Sequence, residues 1–187
     1  MLGLSDMKVG TVFVLDGEPW QVLETQFVKM AQRTGHVQAK IRNLKTGAVL
    51  NRSFKQADRV EEADVENVKC MFVYAHRGKC VFTEIANTKN RFEFTEEQLG
   101  DDRYYLHPNL ELVALRFDGK FMAIILPPKV DLKVVEAAPG VRGNTAQGAT
   151  KTVKLESGLE VTVPLFIEQD EVIRVNTKSG EYVERVS

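Results

Sequence analysis

The chain has 187 residues, with 25 Lys and Arg against 26 Asp and Glu, a formal net charge of −1 and 43% hydrophobic residues. This is the balance of an ordinary globular protein with room for one to three small cores. The N-terminus has no basic segment followed by a long apolar run, and the longest apolar run, residues 121–128, is far too short to span a bilayer. Neither a signal peptide nor a membrane contact is expected, and the cytoplasm is the default compartment.

The first sixty residues carry repeated β signals. Residues 11–15 are β-branched and apolar, Asp16-Gly17 is a two-residue hairpin turn, and residues 18–23 form the return strand. A strand at 25–28 follows, then a loop, then a strand at 36–42 in which Val37, Ala39 and Ile41 alternate with polar residues. Thr46-Gly47 turns the chain into a strand at 48–54. Five or so short strands in this span point to a small SH3-like barrel. Residues 56–66 break the pattern with five acids (Asp58, Glu61, Glu62, Asp64, Glu66) and one Arg. They read as a solvated acidic connector, with a domain boundary near Asp64.

Strands resume at 68–75, 79–85 and 91–95. Thr95 then reads as the N-cap of a short helix with Glu96 and Glu97 in its first turn. Strands at 111–117 and 120–126 flank an Asp118-Gly119 turn, and Pro127-Pro128 stops the second. Strands, one short helix and more strands fit a Greek-key barrel of the OB type. From 129 onward, strands at 130–136, 152–155, 159–163, 172–176 and 182–186 suggest a third barrel, with a Gly-rich loop at 139–148. The expected organisation is all-β: three small barrels in tandem over residues 1–64, 65–128 and 129–187.

Catalysis has little support. The Gly-rich loop lacks phosphate-cradle spacing and reads as a structural connection, and the acid pairs Glu61-Glu62, Glu96-Glu97 and Asp101-Asp102 read as solvated or helix-start charges. His36, His76 and His107 have no ligand spacing, so no metal or cofactor is expected. Cys70 and Cys80 bracket a hairpin turning at Arg77-Gly78. In that register Cys80 faces Ala75 and Cys70 faces Ile85, which separates two free thiols too far for a bridge.

One stretch departs from neutrality. Residues 29–55 hold Lys29, Arg33, Lys40, Arg42, Lys45, Arg52 and Lys55 with no Asp or Glu. Lys40 and Arg42 share a strand parity opposite to Val37, Ala39 and Ile41, so they line an outer face together. Lys and Arg on a face suit the phosphates of a folded RNA backbone. Lys40, Arg42, Lys45, Arg52 and Lys55 are the candidate backbone grips.

These pieces also stand in a recognisable order. Leu15-Asp-Gly-Glu-Pro-Trp20, Phe27-Val-Lys29, Lys40-Ile-Arg-Asn-Leu-Lys-Thr-Gly47, Leu126-Pro-Pro128, Pro139-Gly-Val-Arg-Gly143, Leu155-Glu-Ser-Gly-Leu-Glu-Val-Thr-Val-Pro-Leu-Phe166 and Val175-Asn-Thr-Lys-Ser-Gly-Glu-Tyr-Val183 follow one another. Over essentially its whole length the chain resembles the bacterial elongation factor P family, the counterpart of the eukaryotic hypusine-bearing initiation factor. The resemblance implies a tRNA-like L of one KOW-like and two OB barrels. It also implies a monomer that meets both ribosomal subunits and the P-site peptidyl-tRNA and relieves stalling at proline stretches. The hairpin tip, Lys29, Met30, Ala31, Gln32, Arg33, Thr34 and Gly35, would reach the CCA end and favour a productive geometry. The chemistry would remain the ribosome's, so no enzyme activity is expected. The loop Thr177, Lys178, Ser179, Gly180, Glu181 and Tyr182 would approach the small subunit.

The tip is where the chain departs from that family. The family loop commonly reads Lys-Pro-Gly-Lys-Gly or Lys-Pro-Gly-Arg-Gly, and its central Lys or Arg is modified. Here Gln32 holds the modified position, Arg33 stands one place on, and Gly35 is left as the permissive residue. Either Gln32 works unmodified or Arg33 supplies the group; an unmodified tip is the favoured reading, and a modified one would imply a tip-modifying enzyme as a partner. Lys151-Thr-Val153 replaces a Lys-Pro-Ala, and Lys178 stands where Arg is frequent. The altered tip leaves a second reading open: a specialised paralogue that binds ribosome or tRNA without proline-specific rescue. An enzyme acting on a small molecule is the third and least supported.

Overall fold

The computed structural model describes residues 1–30, 33–58, 60–137 and 150–186, and at Leu4, Lys29, Met30, Arg33 and Thr34 the backbone alone. Its strands are β1 (Val12–Leu15), β2 (Glu18–Met30), β3 (Arg33–Asn43), β4 (Val49–Lys55), β5 (Glu61–Glu62), β6 (Val65–His76), β7 (Lys79–Glu84) and β8 (Arg91–Thr95). After the short helix α1 (Glu96–Leu99) come β9 (Glu111–Phe117), β10 (Lys120–Ile125), β11 (Lys129–Ala137), β12 (Thr150–Leu155), β13 (Glu160–Pro164), β14 (Val172–Asn176) and β15 (Tyr182–Val186). They form three five-stranded sheets, ordered β4-β3-β2-β1-β5, β10-β9-β6-β7-β8 and β13-β12-β11-β14-β15. The all-β expectation holds. No helix among the described residues is long and apolar enough to cross a membrane.

The turns follow their residues. Asp16-Gly17, Arg77-Gly78 and Asp118-Gly119 all hold positive φ at both positions, the conformation a tight hairpin requires. Thr95 caps α1 with its side chain while Gln98 reaches back to the Thr95 backbone, which completes a capping box.

By contacts the chain divides into two units, residues 1–68 with 114–123, and residues 69–113 with 124–187. In the first, Phe13, Val22, Val37, Ala39, Ile41 and Phe54 form one buried cluster. Phe13 and Phe54 meet edge to face at 5.7 Å. A second cluster joins Val12, Leu44 and Ala63 to Leu115, with Phe117 and Met122 packed beside it. In the second unit, Phe82 contacts Phe72, Phe92 and Phe94 at centroid distances of 5.5, 5.6 and 5.9 Å. The last sheet buries Leu132, Val134, Val153, Leu155, Ile173 and Val175.

Four details differ from the sequence reading. The segments read as two strands at 18–23 and 25–28 are one strand, β2, with a bulge at Leu23 between the pairs Val22↔Ile41 and Glu24↔Lys40. The extra residue switches parity, so Trp20, Val22, Thr25 and Phe27 share a face although their spacing alternates irregularly. Within the acidic connector, Glu61 and Glu62 pair with Val14 and Phe13 as an edge strand. A 3₁₀ turn, Gly100–Tyr105, follows α1 where none was expected. Cys70 pairs with Glu84 rather than Ile85, because a bulge between Phe72 and Tyr74 shifts the register; Cys80 pairs with Ala75 as read. Both cysteines are buried free thiols, and burial pushes the Cys80 thiol up. The Gly-rich loop at 139–148 lies outside the described residues.

Candidate nucleic-acid interface

β2 and β3 make the longest hairpin among the described residues. The 13 residues of β2 extend roughly 40 Å at about 3.3 Å per residue. Pairing runs from Trp20↔Asn43 to Met30↔Arg33, the last described pair. Ala31 and Gln32 lie outside the described residues, as do the side chains of Lys29, Met30, Arg33 and Thr34. The choice between Gln32 and Arg33 as the working tip residue therefore falls outside the described atoms.

Gly35 has a different job from the one expected. It is not at positive φ; instead the Phe27 ring occupies the space a side chain would need, and a Cβ on Gly35 would stand 2.7 Å from the Phe27 Cζ. The pairs Val28↔His36 and Met30↔Arg33 leave Thr34 and Gly35 facing Lys29 alone, so Gly35 lies in a bulge.

The cations divide by position. Val37, Ala39 and Ile41 are buried, and Lys40 and Arg42 point to the other face. Lys55 pairs with His36 and so joins Lys40 and Arg42 on that outer face. Arg52 pairs with Ala39 and stands on the opposite face, its guanidinium 5.6 Å from the Phe54 ring centroid. Lys45 sits in the β3–β4 turn, at the end of β3 remote from the tip. The basic stretch is free of acids in sequence but not in space. β2 brings Glu24 to 3.1 Å from the Lys40 ammonium, and Glu18 to 3.5 Å from that of Lys45. Among the described residues Arg42 and Lys55 have no carboxylate at ion-pair distance. An open groove of about 560 Å³ crosses β2, β3 and β4, lined on the outer face by Glu24, Gln26, Gln38, Lys40, Asn51 and Ser53. Its amides, hydroxyl and ammonium offer donors to phosphate and ribose oxygens.

The candidate loop at 177–182 is tightly built. Asn176 Oδ1 accepts from the Lys178 and Ser179 amides at 2.8 and 3.2 Å. The Gly180 amide donates to the Asn176 carbonyl at 2.9 Å, the Asn176 amide to the Glu181 carbonyl at 2.9 Å, and the Thr177 amide to the Pro128 carbonyl at 3.1 Å. The Thr177 hydroxyl donates to the Pro127 carbonyl at 2.7 Å. Tyr182 opens β15 opposite Val175. Lys178 projects with no ion-pair partner among the described residues.

The turn at 43–48 repeats this arrangement bond for bond. Asn43 Oδ1 accepts from the Lys45 and Thr46 amides at 2.8 and 2.9 Å. The Gly47 amide donates to the Asn43 carbonyl at 2.9 Å, the Asn43 amide to the Ala48 carbonyl at 2.8 Å, and the Leu44 amide to the Pro19 carbonyl at 2.9 Å. Gly47 and Gly180 have φ of 76 and 72°. The shared signal, Asn-x-Lys-Thr/Ser-Gly at 43–47 and 176–180, was present in the sequence and passes unnoticed when the two stretches are read separately.

Residues 4–60 match the elongation factor P (EF-P) KOW-like domain family, and residues 130–185 match the family of the elongation factor P C-terminal domain. Elongation factor P of Moorella thermoacetica is 37% identical over 185 residues, which cover 99% of this chain and 100% of that protein. Among solved structures, eukaryotic translation initiation factor 5A from Methanococcus jannaschii aligns with a TM-score of 0.46 at 14% identity, over 66% of this chain and 92% of that one. A translation initiation factor eif-5a family protein from Naegleria fowleri aligns with a TM-score of 0.40 at 10% identity, over 67% and 96%. The full-length match at this identity, together with family matches at both ends, places the chain in the elongation factor P family of translation elongation factors.

Proposed function

We propose that the protein binds the ribosome as a monomer in the cytoplasm, beside P-site peptidyl-tRNA, and stimulates peptide-bond formation at proline stretches. The observation that carries this reading is the acid-free segment 29–55, which runs from the β2–β3 hairpin through β4, in a chain that belongs to this family throughout its length. Lys40, Arg42 and Lys55 on its outer face would grip RNA phosphates, with Lys45 and Arg52 contributing from the β3–β4 turn and the other face. The residues between Lys29 and Gly35 would meet the CCA end, and the loop 177–182 the small subunit. Three domains, 1–64, 65–128 and 129–187, would carry these surfaces. The hairpin would act by positioning the reacting groups, leaving the chemistry to the ribosome. Gln32 or Arg33 would work without an added group, so no cofactor and no tip-modifying partner is required.

Prolyl-prolyl synthesis in a reconstituted translation system tests the reading: the protein should accelerate proline runs and leave other sequences unchanged. No acceleration would sink it. Ribosome binding without acceleration would instead favour the specialised paralogue, to which the Met30-Ala31-Gln32 tip points. Intact mass of the protein from its native host tests the bare tip, and an adduct on Gln32 or Arg33 would refute it.

A further inference from the structure

β4 ends at Lys55, opposite His36, so beyond that pair the β2–β3 ribbon has two strands only. A two-stranded ribbon is marginal in water unless its side chains pin it. Phe27, just before that end, is exposed, and Val28, Gly35 and His36 at its start are only half-buried, so burial in the sheet's core does not supply that pin. The ribbon also carries a register irregularity between Val28 and Met30, which by itself weakens the ladder.

Among the described residues, Phe27 makes an apolar contact with Gly35 at this end. A Cβ at Gly35 would lie 2.7 Å from Cζ, 3.2 Å from Cε1 and 3.4 Å from Cε2 of the ring. The rim of the ring therefore rests on bare backbone, at the bulge, and an aromatic placed over a strand glycine is a known means of holding such a position. Phe27 remains 57% exposed, so its burial alone stabilises the fold little. Its effect falls on where the ribbon's end points.

We propose that Phe27 is a positioning residue: seated on Gly35, its ring fixes the two-stranded end of the ribbon and hence where residues 30 and 33 stand. The inference rests on the proposed function, since the end being aimed is the one that would meet the CCA end. Phe27 has no charge to offer a phosphate, whereas Lys40, Arg42 and Lys55 do. Rate at saturating protein should therefore depend on Phe27, and ribosome affinity should not.

Two variants displace the same contact from opposite sides. Phe27→Ala removes the ring. Gly35→Ala keeps it but lifts it from its seat, because the free rim of the ring yields before the backbone does. Each should lower the saturated prolyl-prolyl rate by roughly 10- to 100-fold, the scale on which misplacement by about 1 Å acts. The protein concentration giving half the maximal rate should stay within about twofold. The double variant should lose no more than either single, as expected of two residues acting through one contact. By proton NMR of the intact protein, the ring-shifted α-protons at position 35 should return toward unshifted positions, both of them in Phe27→Ala and the one that remains in Gly35→Ala.

A wild-type rate in Gly35→Ala with a loss in Phe27→Ala would mean that the ring acts directly on the RNA, and would overturn the inference. So would an additive double variant or a loss confined to affinity. If the wild-type protein fails on proline runs, the proposed function falls, and amide exchange at Val28 and His36 then decides the brace. Unchanged protection in both variants refutes it, and faster exchange in both upholds it.

Discussion

The turns at 43–48 and 176–181 share a backbone, an asparagine hub and a lysine at the same place, yet they differ in what surrounds that lysine. Lys45 stands 3.5 Å from Glu18, whose second carboxylate oxygen accepts from the Asn43 side-chain Nδ2 at 2.6 Å. Lys178 has no such neighbour among the described residues. The residue before each lysine differs as well: Leu44 is buried in an apolar cluster, whereas Thr177 bonds a carbonyl through its hydroxyl. One turn design thus serves two ends. The first turn is anchored by apolar packing, and its cation is already partly neutralised. The second is anchored by a hydrogen bond, and its cation has no ion-pair partner among the described residues.

The anchors should separate most sharply. Leu44→Ala should cost about 2–3 kcal/mol by large-to-small truncation, whereas Thr177→Val should cost about 1 kcal/mol for one hydrogen bond. Urea midpoints at unchanged m-value measure both. Equal losses would erase the distinction between an apolar and a polar anchor. The hubs come next. Asn43 is buried and also serves Glu18, so Asn43→Ala should cost about 2 kcal/mol, against about 1 kcal/mol for the half-buried Asn176.

The lysines test function rather than stability. Lys178→Ala should lower the salt slope of ribosome binding by about one unit, the signature of one lost phosphate contact. Lys45→Ala should lower it by less, and Glu18→Gln, which frees Lys45, should steepen it. The smallest effect is acidic. Hydrogen bonds from Arg174 hold Asp131 below the ordinary carboxylate range, and the Glu168 amide and Arg185 do the same for Glu171. Both folded values are depressed, so their contribution is present above about pH 4 and is lost as pH falls through the folded values. Urea midpoints between pH 5 and 2 should show this loss. Asp131→Asn should remove part of it, and only a small part, since Asp131 and Arg174 are both more than a third exposed and solvent-screened.

Strand positions were legible wherever hydrophobic alternation was clean. Val37, Ala39 and Ile41 are buried, and Asp-Gly pairs turn the chain at 16–17 and 118–119. Legibility failed where one extra residue enters a strand. Leu23 splits the pattern of β2 in two, and the bulge between Phe72 and Tyr74 moves the partner of Cys70 by one place. The charges of the candidate interface were legible as a stretch but not as a surface. Strand pairing brings Glu18 and Glu24 beside Lys45 and Lys40, and parity carries Arg52 to the other face. The role of Gly35 was unreadable locally, because the ring that needs its missing side chain comes from the neighbouring strand, at Phe27.

The cluster of Val12, Leu44, Ala63 and Leu115 bears on how the chain is made. Three of its members leave the peptidyl-transferase centre early, and the fourth is added 52 residues after Ala63 (115 − 63). At about 5–20 residues per second, the first sheet waits roughly 3–10 s during its own synthesis with that apolar face uncovered. Nascent chains halted shortly after residue 63 should thus be sticky and protease-sensitive, and those halted well past residue 123 should be protected. A protein whose family serves translation depends on uninterrupted translation to complete the second apolar cluster of its own first unit.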